Sequence, residues 1–224
     1  MNRGSNIPEK LIPPHGGYRN LKSFQLAELI YDVTVRFCNL YISSRSRTHD
    51  QMVQAARSGG KNIAEGSQAS GTSKKTELKL TNVARASLEE LRGDYKDFLR
   101  QRDLKEWPPN HPTLVRFKAR RCATLKDVQA WVADERRGRA GTNTDSQKRG
   151  KLARASVSVR ERPCVSVSSA ELVANGALSL LNLCCYLLDR QIDSLETAFV
   201  EEGGFTERLY RVRSARRAAK TGTV

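Results

Sequence analysis

The feature that most constrains this chain is one long apolar stripe at helical spacing. Leu80, Ala84, Leu88, Leu91, Tyr95, Phe98 and Leu99 recur at steps of three and four residues. Only an α-helix places such positions on a single face, so the pattern predicts a helix at about 74–102. Its start carries a cap, because the Ser73 hydroxyl suits the N-terminal N–H groups. The same spacing returns twice. Leu26, Ile30, Val33, Phe37, Leu40 and Tyr41 predict a helix at 21–43, and Leu172, Leu180, Leu183, Leu187, Ile192 and Leu195 predict one at 169–202. The last begins with Ser168 and Glu171 in capping-box spacing and stops at Gly203-Gly204.

A fourth helix is expected at 48–65, with Thr48 as N-cap and Asp50 facing the positive end of the helix dipole. Its apolar face is thin (Met52, Ala55, Ala56, Ile63), and small residues let a neighbouring helix approach closely. Gly59-Gly60 is expected to weaken or kink it. No strand alternation and no internal repeat occur, so the reading is all-α: an antiparallel up-and-down four-helix bundle. Residues 1–20 read as a flexible lead-in, and 103–168 interrupt the bundle before its last helix. That insertion holds one possible extra helix at 113–134 and a basic, apolar-poor linker at 136–162, expected to be disordered. Residues 203–224 are a suffix segment and a basic tail.

Charge narrows the function. The chain of 224 residues has a net charge of +15. Residues 21–107 hold 15 basic and 11 acidic side chains, 108–168 hold 14 and 5, 169–202 hold 1 and 6, and 203–224 hold 6 and 1. The excess therefore lies in the insertion and tail, and the last bundle helix is acidic. A polyanion, most simply nucleic acid, is the partner such a balance suits. No run of about 18 apolar residues suggests a membrane span, and the first twenty residues lack the apolar core of a secretory signal, so a cytoplasmic protein is expected. Cys38, Cys122, Cys164, Cys184 and Cys185 have no C-x-x-C spacing and read as thiols of a reducing compartment. His15, His49 and His111 lack ligand spacing, so neither a metal nor a cofactor is expected. No phosphate-binding glycine motif or nucleophile elbow occurs. His49-Asp50 beside several serines, and the acid pairs Glu89-Glu90 and Glu201-Glu202, read as surface residues. No catalytic residue is assigned, and the chain is expected not to be an enzyme.

The most specific text is Gln51-Met-Val-Gln-Ala-Ala-Arg-Ser-Gly-Gly-Lys-Asn-Ile-Ala-Glu-Gly66. It resembles the Q-x-x-x-A-A-x-S-x-x-x-N-I-A-E-G signature of a bacterial four-helix-bundle family. That family includes the proteins encoded in intervening sequences of large-subunit ribosomal RNA genes and the accessory variability determinant of diversity-generating retroelements. Ser73-Lys-Lys-Thr-Glu77, Val83-Ala-Arg-Ala-Ser-Leu-Glu-Glu-Leu91, Tyr186–Gln191 and Glu201–Tyr210 extend the resemblance, the last two to a variant with a C-terminal suffix. It covers about 18–112 and 168–213. It implies a homopentamer with a basic surface for RNA or DNA, no catalytic site, and in the retroelement case a reverse transcriptase as partner. The chain differs from the family where Val53 and Gln54 replace two basic residues and Gly60 replaces a proline. Arg57 and Lys61, one helical turn apart, supply charge instead.

Phosphate contacts are therefore assigned to Arg45, Arg47, Arg57, Lys61, Lys74, Lys75 and Lys79. Asn62, Glu65 and Gly66 are read as structural, holding the connection between the second and third helices through side-chain-to-backbone bonds. Arg85 is read as an interior ion pair with an acid such as Glu65, or as a subunit contact. The alternative function is a scaffold that docks a larger enzyme.

Overall fold

The computed structural model describes residues 11–12, 14–149 and 168–221, and every regular element among them is helical. A short 3-10 turn, Tyr18–Asn20, precedes α1 (Lys22–Tyr41), α2 (Arg47–Ala69), α3 (Lys74–Gln101), α4 (Pro112–Arg120), α5 (Leu125–Arg149), α6 (Ser169–Glu202) and α7 (Phe205–Thr221). The described contacts divide the chain into two compact units. The first holds Met1–Glu28, Ala55–Glu90 and Leu183–Val224, and the second holds Leu29–Gln54 and Leu91–Asn182.

In the first unit the small-residue face of α2 determines the packing. A Cβ on Gly59 would lie 2.6 Å from Leu88 Cδ2, and one on Gly66 would lie 3.3 Å from the Glu77 carbonyl oxygen. Both glycines are thus close-approach points for α3, and α2 is helical through Gly59-Gly60. Tertiary contact outweighs a helix-propensity cost of about 1 kcal/mol for each glycine. The helix also extends to Ala69, beyond the expected end at 65. The segment expected to be a flexible lead is placed from residue 14: Gly16 N donates to Ser67 O at 3.0 Å, and Tyr18 packs edge-on against Phe24. Buried Phe24, Ala27, Ile63, Leu88, Cys184 and Leu188 fill the interior, and burial pushes the Cys184 thiol up to about 12.

The second unit has an aromatic core. Phe37 packs against Tyr41, Tyr95 and Phe98, and the buried Tyr95 hydroxyl donates to Thr34 Oγ1 at 3.1 Å. Trp131 packs against Phe117, where a Cβ on Gly176 would lie 3.1 Å from its ring. The Trp107 indole N–H donates to Glu171 Oε1 at 3.1 Å and its backbone N–H to Asn175 Oδ1 at 2.8 Å, tying the chain after α3 to α6. Ser168 Oγ caps α6 by accepting from Glu171 N at 3.1 Å. The Glu171 carboxylate serves Trp107, a departure from the reciprocal half of a capping box.

The insertion departs further. The single helix expected at 113–134 is two helices, because Arg121 takes a left-handed conformation (φ 49°) and closes α4. Thr124 and Asp127 then cap α5: the Asp127 carboxylate accepts from Ala123 N, Thr124 N and Thr124 Oγ1, which lowers its pKa. Helix α5 continues to Arg149, so residues 136–149 of the expected linker are helical; 150–162 lie outside the described residues. At the start of α2 the cap is Ser46, whose Oγ accepts from Thr48 N at 3.3 Å, and Thr48 is already helical. The suffix segment and basic tail form a helix through Thr221. The stretch from Ser169 contains an 18-residue window of mean hydropathy 1.5, long and apolar enough to cross a membrane, and 67% of that window is buried inside the protein. Asn175, Gly176 and Ser179 interrupt this stretch, so it is not an unbroken apolar run of about 18 residues.

Candidate nucleic-acid interface

Five of the seven assigned cations lie in the first unit. On α2, Arg57 and Lys61 are one turn apart and both exposed; on α3, Lys75 and Lys79 repeat that spacing and are exposed, while Lys74 is half-buried. The first turn of α3 is capped by Ser73, whose Oγ accepts from Thr76 N at 3.1 Å. Uncompensated N–H groups there add a partial positive charge beside Lys74 and Lys75. Glu77, in that turn, has its carboxyl raised by burial, an effect opposed by Lys74. The other two cations, Arg45 and Arg47, belong to the second unit and are exposed at the start of α2.

None of these seven cations has an ion-pair partner among the described residues. Other cations of the chain do. Arg85 meets Asp189 at 2.6 Å, Lys96 meets Glu106 at 3.0 Å, and Arg100 meets Asp97 at 2.7 Å. Arg116 holds Glu135 through two bonds of 2.7 and 2.6 Å, and Arg120 and Arg137 both meet Asp134. These pairs raise the pKa of Arg85, Arg116 and Arg120 through the side-chain hydrogen bond first, and lower that of Asp134.

The residues read as structural act differently from expectation. Asn62 Nδ2 donates within α2, to Ser58 O at 2.9 Å and Ser58 Oγ at 3.0 Å. Ser58 Oγ lies 3.0 Å from Ser87 Oγ, and Ser87 Oγ also donates to Val83 O at 3.0 Å. Since the Ser87 proton goes to Val83, Ser58 is the donor between the two hydroxyls. Asn62 thus joins α2 to α3 through a serine relay at mid-helix, away from the connection. Glu65 is exposed, has no partner among the described residues, and is not the acid that meets Arg85. Asp189 of α6 takes that place, because Arg85 projects toward α6 and not toward α2. Gly66 acts through close approach. The sequence carried a signal for the relay, Ser58 and Ser87 on small-residue faces, but it is shared with any surface serine.

His49 contacts Asp50 Oδ1 at 3.2 Å and Asn39 Oδ1 at 3.1 Å, so both ring nitrogens are engaged by neighbours on the surface. Among the described residues no three His, Cys, Asp or Glu side chains come together as a metal site. Cys38, Cys122, Cys184 and Cys185 are buried free thiols, and burial pushes Cys38 up to about 12; Cys164 lies outside the described residues. The second unit has an apolar cleft of about 250 Å³ lined by Val33, Phe37 and Leu40 of α1, Leu125 and Val132 of α5, and Val173 of α6. Sequence reasoning missed this cleft, since its walls come from three helices far apart in the chain. It placed six Lys and Arg against one Glu in the tail without assigning that segment its helix, α7. Compared with known protein families, with characterised proteins and with solved structures, the chain matches none.

Proposed function

We propose that this chain is a non-catalytic, cytoplasmic, nucleic-acid-binding protein that works as a closed homo-oligomer. Its core would be an antiparallel up-and-down four-helix bundle of α1, α2, α3 and α6, of the type found in ribosomal RNA intervening-sequence proteins and retroelement accessory proteins. The observation that carries this reading is the division of the cations into two classes. Arg57, Lys61, Lys75 and Lys79 stay exposed and without ion pairs among the described residues, while acids elsewhere on the chain are engaged by Arg85, Arg116, Arg120 and Arg137. Phosphates are the ligand that such unpaired, ordered cations suit.

Contact order supports an antiparallel α2–α3 pair, since Gly66 meets Leu80 while Gly59 meets Leu88. In that register Lys61 and Lys79 are about 9 Å apart along the helix axes, at 1.5 Å per residue. The oligomer is supported by large apolar side chains left in water, among them Leu183, Tyr186 and Val200 on α6. The number five follows from the resemblance alone, and light scattering that returned a monomer would reject the assembly.

The binding test replaces Arg57, Lys61, Lys74 and Lys75 together by Ala. Affinity for structured RNA or duplex DNA is then measured by fluorescence anisotropy over a salt series. Four lost phosphate contacts should reduce the slope of log affinity against log salt by about 3–4 units. If affinity and slope stay unchanged in a variant with the same thermal midpoint, the patch is only a solvated face. The apolar cleft of the second unit favours a second reading, a scaffold that docks a larger enzyme such as a reverse transcriptase. Docking of that kind would be nearly insensitive to salt and would weaken on placing Asp at Val132.

A further inference from the structure

The cleft of the second unit is a hollow that helix packing leaves open. Val33, Phe37 and Leu40 of α1 line it at steps of four and three residues, and Leu125, Val128 and Val132 of α5 line it at steps of three and four. Two apolar stripes therefore border the same space of about 250 Å³. A loosely attached α5 is not the cause, since Trp131 packs on Phe117 and Val128 is only 3% exposed. The cause is side-chain size: Ala133 of α5 and Ser169 and Val173 of α6 reach the hollow with short side chains. Well-packed interiors close gaps of this size. Here Leu40, at the edge, is left 57% exposed.

The charge of the cleft has one sign. Its lining includes Arg36 of α1 and Arg136 of α5 and no acid. Neither arginine has an ion-pair partner among the described residues, whereas the next residue, Arg137, meets Asp134. An adjoining hollow of about 330 Å³ shares Arg36, Leu40 and Leu125 with the cleft. Asp32 lines that second hollow and makes no ion pair with Arg36. The cleft is also elongated: from Leu125 to Arg136 it follows α5 for about 16 Å, at 1.5 Å per residue.

Apolar walls with a few placed polar groups are the makeup of a small-molecule site. A guanidinium group offers paired N–H donors in one plane, the geometry that a carboxylate accepts. Nucleic acid does not suit this place, because phosphate and sugar would lose water against valine and leucine side chains without gaining partners for it.

We propose that the cleft binds a small amphipathic acid, with an apolar chain lying between α1 and α5 and its carboxylate held by Arg36 and Arg136. The inference goes beyond the polyanion reading and does not depend on it, since neither arginine belongs to the cations assigned to phosphate.

The test measures binding of sodium octanoate to the full chain by isothermal titration calorimetry at neutral pH. Octan-1-ol keeps the chain without the charge, and acetate keeps the charge without the chain. Octanoate should bind about tenfold or more tightly than octanol, the difference that one charge-assisted hydrogen bond makes, and acetate should not bind measurably. The Arg36→Gln, Arg136→Gln double variant should bind octanoate no better than octanol and leave octanol binding unchanged. Ala133→Trp fills the hollow from an exposed position without altering a charge. It should weaken octanoate and octanol alike by about tenfold or more, because the chain can no longer bury its apolar surface, while the thermal midpoint stays unchanged. Octanoate binding that survives Ala133→Trp would place the acid on the general basic surface and overturn the inference. Equal affinity for octanoate and octanol would overturn it as well. Binding of neither would also overturn it and leave the cleft to a protein partner.

Discussion

The α2–α3 pair of the first unit and the α4–α5 pair of the second both belong to a basic chain, and they handle charge in opposite ways. Between α2 and α3 the contact is made by absence of bulk, Gly59 against Leu88 and Gly66 against the backbone of Glu77, and by the Asn62–Ser58–Ser87 relay. The cations of that pair are left outside. Between α4 and α5 charge is part of the joint: Arg116 grips Glu135, whose side chain is only 8% exposed, and Arg120 holds Asp134. The lesson is that net charge alone does not locate a polyanion surface. Arg116 and Arg120 count the same as Arg57 and Lys61 in a sequence total, but their guanidinium groups are already committed to carboxylates.

Three substitutions test that contrast. The largest effect is expected where packing alone holds the pair. In Gly59→Ala the new methyl meets the buried Leu88 side chain at 2.6 Å, well inside contact distance. Overpacking of this kind costs about 1–3 kcal/mol, more than the roughly 1 kcal/mol gained in helix propensity. Thermal or urea unfolding should register a net loss; a gain would mean that Leu88 moves aside easily and that the close approach is not needed.

Next is Arg116→Ala, which leaves the Glu135 carboxylate buried without its bidentate partner. A loss of about 1–2 kcal/mol is expected, since a buried acceptor keeps its desolvation cost when its donor is removed. Nucleic-acid affinity and salt slope should not change. If the slope falls instead, Arg116 is a phosphate contact and the division into two classes of cation fails.

The smallest effect on the fold is expected from Lys79→Ala. Lys79 is exposed and has no ion-pair partner among the described residues, so stability should move by no more than about 0.5 kcal/mol. The salt slope should still fall by about one unit, the signature of one lost phosphate contact. An unchanged slope would remove Lys79 from the interface and leave the rest of the set to be tested together.

Helix α6 was the most legible element: it was expected at 169–202 and spans Ser169–Glu202. Its apolar spacing continues over many turns, and each end carries local chemistry, the Ser168 hydroxyl and the Gly203 φ of +75°. Helix α3 was legible for the same reason. The break between α4 and α5 was not, because an arginine in a left-handed conformation has no sequence mark, although Thr124 and Asp127 three residues apart did announce a new start. The candidate site was half legible. Exposed Lys and Arg at one-turn spacing can be listed from the sequence, but their lack of ion pairs cannot.

By itself the sequence determined that this chain is helical, where α1, α3 and α6 run, and where the basic excess lies. Periodicity, caps and glycine stops are local properties, decided within a few residues by backbone hydrogen bonding and side-chain spacing. Tertiary structure alone decided the rest. It made Asp189 and not Glu65 the partner of Arg85, and it made Gly59 a contact point for Leu88. Each of these depends on which distant side chain arrives at a given face, and that is set by how the helices pack, not by any spacing along the chain.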